Sequence, residues 1–114
     1  MKVIATTLVA TVVLATSLLS ADGNSSKKAP TANLSSEGRV LFGKCIDCHY
    51  PYGTNTLVGP GLQGLFKKAK LSNGKKPDEA TIRLIIHDGG PAMPGFPALS
   101  AKEQDCLIAY LKSL

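Results

Sequence analysis

The chain has 114 residues, with 13 Lys and Arg against 8 Asp and Glu for a formal net charge of +5. This length excludes a large multidomain enzyme. Only two of the basic residues are arginines, and the lysines are not interleaved with stacking aromatics, which argues against a nucleic-acid partner.

The hydrophobic fraction of 44% is unevenly placed, because Val3 to Leu19 forms a block without any charge. Met1-Lys2 before the block and small residues at its end, Ser20-Ala21, give the three-part layout of a secretory signal peptide over residues 1–21. The sequence therefore predicts cleavage after Ala21 and a mature protein outside the cytoplasm, in the periplasm. Left uncleaved, the same block would act as a membrane anchor, but at about 17 residues, four of them threonine, it lies at the short end for a bilayer span. Loss of Lys2 lowers the net charge to +4. The remaining domain has few aromatics (three Phe, three Tyr, no Trp), and a chain so small commonly needs a staple, metal or prosthetic group.

Residues 22–34 are polar, small and Pro-containing, and are expected to be a flexible leader. The folded domain is expected over 35–114. A first helix is predicted from a Ser35 or Ser36 cap, with Glu37 in its opening turn. Gly38, Leu41, Phe42 and Cys45 then fall on one helical stripe. Gly38 costs roughly 1 kcal/mol there relative to Ala, a cost that makes sense if a second helix crosses closely over it.

Cys45-Ile46-Asp47-Cys48-His49 follows. At the end of a helix, two cysteines three apart share a face and can each add to one vinyl group of a porphyrin. A histidine four residues from the first points back over the same ring and can reach the iron. C-x-x-C-H is the attachment signature of haem c. Two other readings use the same cysteines. A thiol redox pair would want a βαβ context, which is absent. A zinc site from Cys45, Cys48, Cys106 and His87 is possible by count. The histidine directly after the second cysteine, behind an export signal, decides for haem.

Further along, Lys67, Lys68, Lys70, Lys75 and Lys76 place five positive charges in ten residues. Such a run is usually a solvated loop, and its functional version is a docking patch for an acidic redox partner. A second helix is predicted from about Asp78 to His87, with Pro77 at its start and Gly89-Gly90 ending it. Its apolar face is Ile82, Ile85 and Ile86, with Leu84 beside them. After it comes Pro91-Ala92-Met93-Pro94-Gly95-Phe96-Pro97. Met93 and His87 are the two residues of the mature chain that could ligate the iron opposite His49. A methionine between prolines in a stiff loop suits a weak iron–thioether bond, whereas His87, beside Asp88 at a helix end, is comfortable as a surface residue. Thioether opposite imidazole leaves no open position for substrate and suits electron transfer. The third helix is predicted to begin at Ser100, with Glu103 completing a capping box. Its stripe is Leu107, Tyr110, Leu111 and Leu114. No segment alternates as a strand does, so the domain is read as all-α, three helices joined by Gly/Pro-rich loops.

From Glu37 to Leu114 the chain resembles the class I, monohaem, bacterial-type cytochromes c. Besides the C-x-x-C-H run, Gly59-Pro60-Gly61-Leu62-Gln63-Gly64-Leu65-Phe66 is similar to that family's G-P-x-L-x-G-L-F segment. Met93-Pro94, Leu99-Ser100 and Leu107-Ile108-Ala109-Tyr110-Leu111 are similar to its methionine loop and last helix. The resemblance implies the cytochrome c fold wrapped around one covalent haem c. It also implies that the Pro60 carbonyl accepts the Nδ1–H of His49, and that Gly38 and Phe42 meet Leu107 and Tyr110 where the first and last helices cross. Cys45, Cys48, His49, Met93 and Pro60 are thus the expected cofactor-binding residues, with His49 and Met93 on the iron.

The expected function is that of an exported one-electron carrier between respiratory or dehydrogenase partners. The alternatives are a small cytochrome subunit of a periplasmic dehydrogenase complex and the zinc-binding domain. No acid–base or nucleophilic constellation is present, so no catalytic residue is expected. Cys106, a third cysteine beside the last stripe, is read as half-buried, with some disulfide-linked dimer expected on purification.

Overall fold

The computed structural model describes residues 30–114; the signal-peptide expectation for residues 1–21 and residues 22–29 of the leader lie outside them. Three α-helices form the domain: α1 (Thr31–Leu41), α2 (Glu79–Asp88) and α3 (Ala101–Lys112). Short 3-10 turns occupy Phe42–Lys44 and Leu65–Lys67, and no strand occurs among the described residues.

The first helix begins earlier than its serines suggest. Pro30 is its N-cap, with extended backbone (φ −51°, ψ 135°), and the Pro30 carbonyl accepts from Asn33 and Leu34. Proline immediately before a helix needs no amide donor, so the chain can turn helical directly after it. Ser35 and Ser36 therefore lie inside α1. The Ser36 hydroxyl donates back to the Ala32 carbonyl, and the Ser35 hydroxyl reaches that of Ser113 beyond α3, at 3.4 Å. Residues 31–34, expected to end the leader, are this extra turn.

The other two helices start where their side chains dictate. Asp78 Oδ1 accepts the amide of Thr81 at 2.8 Å to cap α2. Ser100 and Glu103 make both bonds of a capping box on α3. These bonds hold the Asp78 and Glu103 carboxyls below the usual carboxylate range, because a backbone amide donates to each charged form.

The core is the crossing of α1 over α3. A Cβ at Gly38 would lie 1.9 Å from the Cys106 carbonyl oxygen and 2.8 Å from Tyr110 Cβ, so only a hydrogen there lets the backbones approach this closely. One turn on, the rings of Phe42 and Tyr110 pack with centroids 5.3 Å apart, tilted by 59°. Tyr110 is 5% exposed, and burial, then its neighbour Tyr52, pushes its hydroxyl up to about 12.

Cys106 sits at this crossing, only 1% exposed, its thiol donating to Glu37 Oε2 at 3.4 Å. This corrects the half-buried reading and the expected disulfide dimer: a thiol covered by the α1–α3 contact cannot meet a second chain without opening the core. Burial first, and then the Glu37 carboxylate, push its pKa up, which keeps it an unreactive thiol.

Helix α2 lies against the other side of α3 through Ile82 and Ile86, both buried, whereas Leu84 is exposed and belongs to the solvent face. Two ion pairs tie the helices: Arg83 with Asp105 at 2.5 Å, and Lys112 with Glu79. The Gly64 amide donates to the Leu114 carbonyl at 3.0 Å and pins the central loop to the C-terminus.

Candidate haem site

Between the helices and loops lies an open cavity of about 370 Å³, to which every element contributes wall. Phe42, Ile82, Ile86, Leu107 and Leu111 form its floor, continuous with the core. Cys45, Cys48, His49, Pro60 and Met93, the five residues expected from sequence, all line it. The structure brings them together from three separate segments.

The first segment is a single helical turn. The amides of Cys48 and His49 both donate to the Cys45 carbonyl, at 3.1 and 2.9 Å, so the two thiols and the imidazole face one side. Both cysteines are free and half-buried. Burial first, and then Cys48, push the Cys45 thiol up, with Lys44 opposing.

The second segment, Gly59 to Leu62, closes back on that turn. The Gly59 amide donates to the Cys48 carbonyl at 2.8 Å, and the Leu62 amide to the Tyr50 carbonyl at 2.9 Å. This clasp delivers the Pro60 carbonyl 2.7 Å from His49 Nδ1. A carbonyl only accepts, so Nδ1 carries a proton, and Nε2 is the ring nitrogen that could meet a metal. His49 is 9% exposed.

The third segment is the loop after α2. Gly89 ends the helix at φ +76°, where an L side chain is strained, and its Cβ would lie 2.4 Å from the Met93 carbonyl oxygen. The Gly90 amide donates to that carbonyl at 2.9 Å, and the Phe96 amide donates to the Ile86 carbonyl at 2.8 Å. The loop is thus folded back on the end of α2, and Met93 lines the cavity half-buried.

His87 does not take part. It is exposed and paired with Asp88 at 2.5 Å. Among the described residues no group of three or more His, Cys, Asp or Glu is arranged to hold a metal ion. The zinc reading is corrected by this separation: Cys106 is buried at the α1–α3 crossing and His87 stands on the surface at the end of α2.

The donor set fits a haem c. An apolar cavity suits a porphyrin, and no buried side-chain nitrogen or oxygen among the described residues lacks a partner, so the walls make no competing polar demand. Two thiols, an imidazole whose Nδ1 is committed to a carbonyl and one thioether are the groups that covalent attachment and iron ligation need.

Sequence reasoning placed Gly59 in a family-like segment but gave it no role. A Cβ there would lie 2.3 Å from His49 Cε1, a contact that no spacing rule signals. It also missed the apolar floor supplied by Ile82 and Ile86, whose helical period signals burial without saying against what.

An all-helical shell around an apolar cavity, with C-x-x-C-H in its wall, defines a haem-binding electron-transfer domain. The chain belongs to the cytochrome c family, whose model matches residues 35–114, and members of this family carry covalent haem c with its iron and transfer electrons. It is also 32% identical, over 92 residues, to cytochrome c oxidase subunit 2 of Alkalihalophilus pseudofirmus. The match covers 75% of this chain and 27% of that relative, so the chain spans about a quarter of the protein it resembles. No helix among the described residues is long and apolar enough to cross a membrane.

Proposed function

We propose that the protein is an exported one-electron carrier whose haem c is attached through Cys45 and Cys48 and ligated by His49 and Met93. The observation that carries this reading is the meeting of these four side chains in one apolar cavity, with His49 Nδ1 committed to Pro60. When bound, the group supplies reversible Fe(III)/Fe(II) chemistry. The chain's residues give it an apolar bed, fix its plane through two thioethers, and leave no ligand position for a substrate. That last point separates a carrier from a small haem enzyme.

Two surface features support protein redox partners. Ile46, Tyr50, Tyr52, Leu57 and Val58 are exposed, between 43% and 70%, and Val58 also lines the cavity. This apolar stretch carries a single charged residue, Asp47. Lys67, Lys70, Lys75 and Lys76 stand exposed in the loop beyond it, whereas Lys68 turns inward. Four lysines, not five, therefore make the docking patch for an acidic partner. The likeness to an oxidase subunit favours a terminal oxidase as the electron acceptor.

The test is production with haem maturation and export. Denatured protein should retain one haem by mass, with the two thiols of Cys45 and Cys48 blocked and that of Cys106 free. Electron delivery to an oxidase should slow steeply as salt rises. A colourless product, or delivery indifferent to salt, would contradict the reading.

A further inference from the structure

We infer that Gly59 and Lys68 are positioning residues for His49: the missing side chain at 59 sets the plane of the imidazole, and the Lys68 ammonium holds the segment that carries its acceptor. The inference rests on reading His49 as an iron ligand. The bond from Nδ1 to the Pro60 carbonyl fixes where one ring atom lies, but hydrogen-bond angles at a carbonyl are broad, and the ring could still swing about that bond.

Gly59 leaves the room in which the ring takes its plane. A Cβ at this position would lie 2.3 Å from His49 Cε1, 2.8 Å from Nδ1 and 2.9 Å from Nε2, so ring atoms occupy the space of a side chain. Its φ is not positive, unlike those of Gly53, Gly64, Gly74 and Gly89. Backbone conformation therefore gives no reason for glycine here, and the space taken by the imidazole does.

On the far side of Pro60, Gly61 is buried, and a Cβ on it would lie 2.3 Å from the Gly53 carbonyl oxygen and 2.8 Å from that of Asn55. Its φ is not positive either. Its own carbonyl accepts from Lys68 Nζ at 3.2 Å. Ordering a lysine side chain has an entropic cost that a single charge-assisted bond must offset. Lys68 is half-buried, while the other four lysines of its run are exposed. Gly61, the residue after Pro60, is thus both seated on residues 53–55 and tethered by a cation, which fixes the chain that carries the Pro60 carbonyl.

The experiment compares the holoprotein with Gly59→Ala, Lys68→Met, Lys68→Arg and Gly43→Ala. Gly43 is the control, since a Cβ there meets nothing within 4 Å. Two readouts report the ring itself: the pattern of haem-methyl shifts in the ferric NMR spectrum, which follows the plane of an axial imidazole, and the exchange rate of the His49 Nδ1 proton. Gly59→Ala should rearrange the methyl pattern and speed the exchange by about tenfold, the loss of one hydrogen bond. Lys68→Met should speed it by a few-fold, and Lys68→Arg should restore it. Gly43→Ala should match the parent protein. If Gly59→Ala yields no holoprotein, the two Lys68 variants decide. Unchanged exchange in Lys68→Met, or a Gly59→Ala protein that is less stable with an unaltered methyl pattern, overturns the positioning roles. A parent holoprotein without an axial His49 signal overturns the iron-ligand reading instead, so the two failures are distinguishable.

Discussion

The two walls of the cavity hold His49 and Met93 in different ways. On the His49 side the side chain itself is fixed: Nδ1 is bonded to Pro60, the ring lies against Gly59, and backbone bonds from Gly59 and Leu62 close the clasp. On the Met93 side the hydrogen bonds that hold the loop are backbone ones. The loop is anchored to the end of α2 by Gly89, Gly90 and Phe96, and a thioether offers the protein little to grip. On the proposed reading, His49 is placed before any metal arrives, whereas Met93 is kept near and would rely on the iron to finish its placement. The His49 side should therefore govern whether the cofactor is held, and the Met93 side should govern potential and access.

Substitutions can break this asymmetry in order of effect. His49→Ala should abolish a six-coordinate centre altogether, leaving little or no stable holoprotein by absorbance and mass. Met93→Ala should retain one covalent haem but lose the ferric thioether-to-iron absorption band, lower the reduction potential and admit added cyanide or imidazole at the vacated position. Gly89→Ala should act more mildly on the same side. Forcing an L residue to φ +76°, with its Cβ against the Met93 carbonyl, should cost about 1–3 kcal/mol in denaturant unfolding. It should also weaken the thioether band while leaving His49 Nδ1 exchange unchanged.

Acid should give the smallest effect and sharpen the contrast. Asp78, Glu79 and Glu103 have carboxyls held below their ordinary values: at Asp78 and Glu103 backbone amides donate to the charged form, and at Glu79 the cause is chiefly Lys112. The unfolded chain therefore takes up these protons first as pH falls. Their stabilisation is fully present above the usual carboxylate range and is lost on acidification through the folded-state values. Asp78 caps and Glu79 ties down α2, the helix that anchors the Met93 loop. The thioether band should fade at a higher pH than the helical circular dichroism does.

How far the sequence made this legible follows from the range of each interaction. Capping is local, so the Ser100–Glu103 box can be read directly, as can the C-x-x-C-H turn, whereas Asp78, expected as the first residue of α2, is its cap. The start of α1 was obscured because Pro30 begins a helix with its carbonyl and backbone geometry, while Ser35 and Ser36 imitate caps from inside it. Gly38 was legible as a crossing point but not its partner: it meets the backbone of Cys106, as well as Tyr110, and that contact buries the thiol. Lys68 looked like its four neighbours because a charge pattern does not show which lysine finds a carbonyl. Gly59 was hidden for a related reason. Its role is a space left for a side chain ten residues away, and only the folded clasp brings the two together.

The measurement that bears most directly on the central claim is the absorption spectrum of the exported holoprotein, taken oxidised and reduced, beside that of Met93→Ala. The account predicts a ferric thioether-to-iron band in the parent protein, absent from Met93→Ala, and a single reversible one-electron titration. A parent protein that lacks the band and binds added cyanide as readily as Met93→Ala would contradict it.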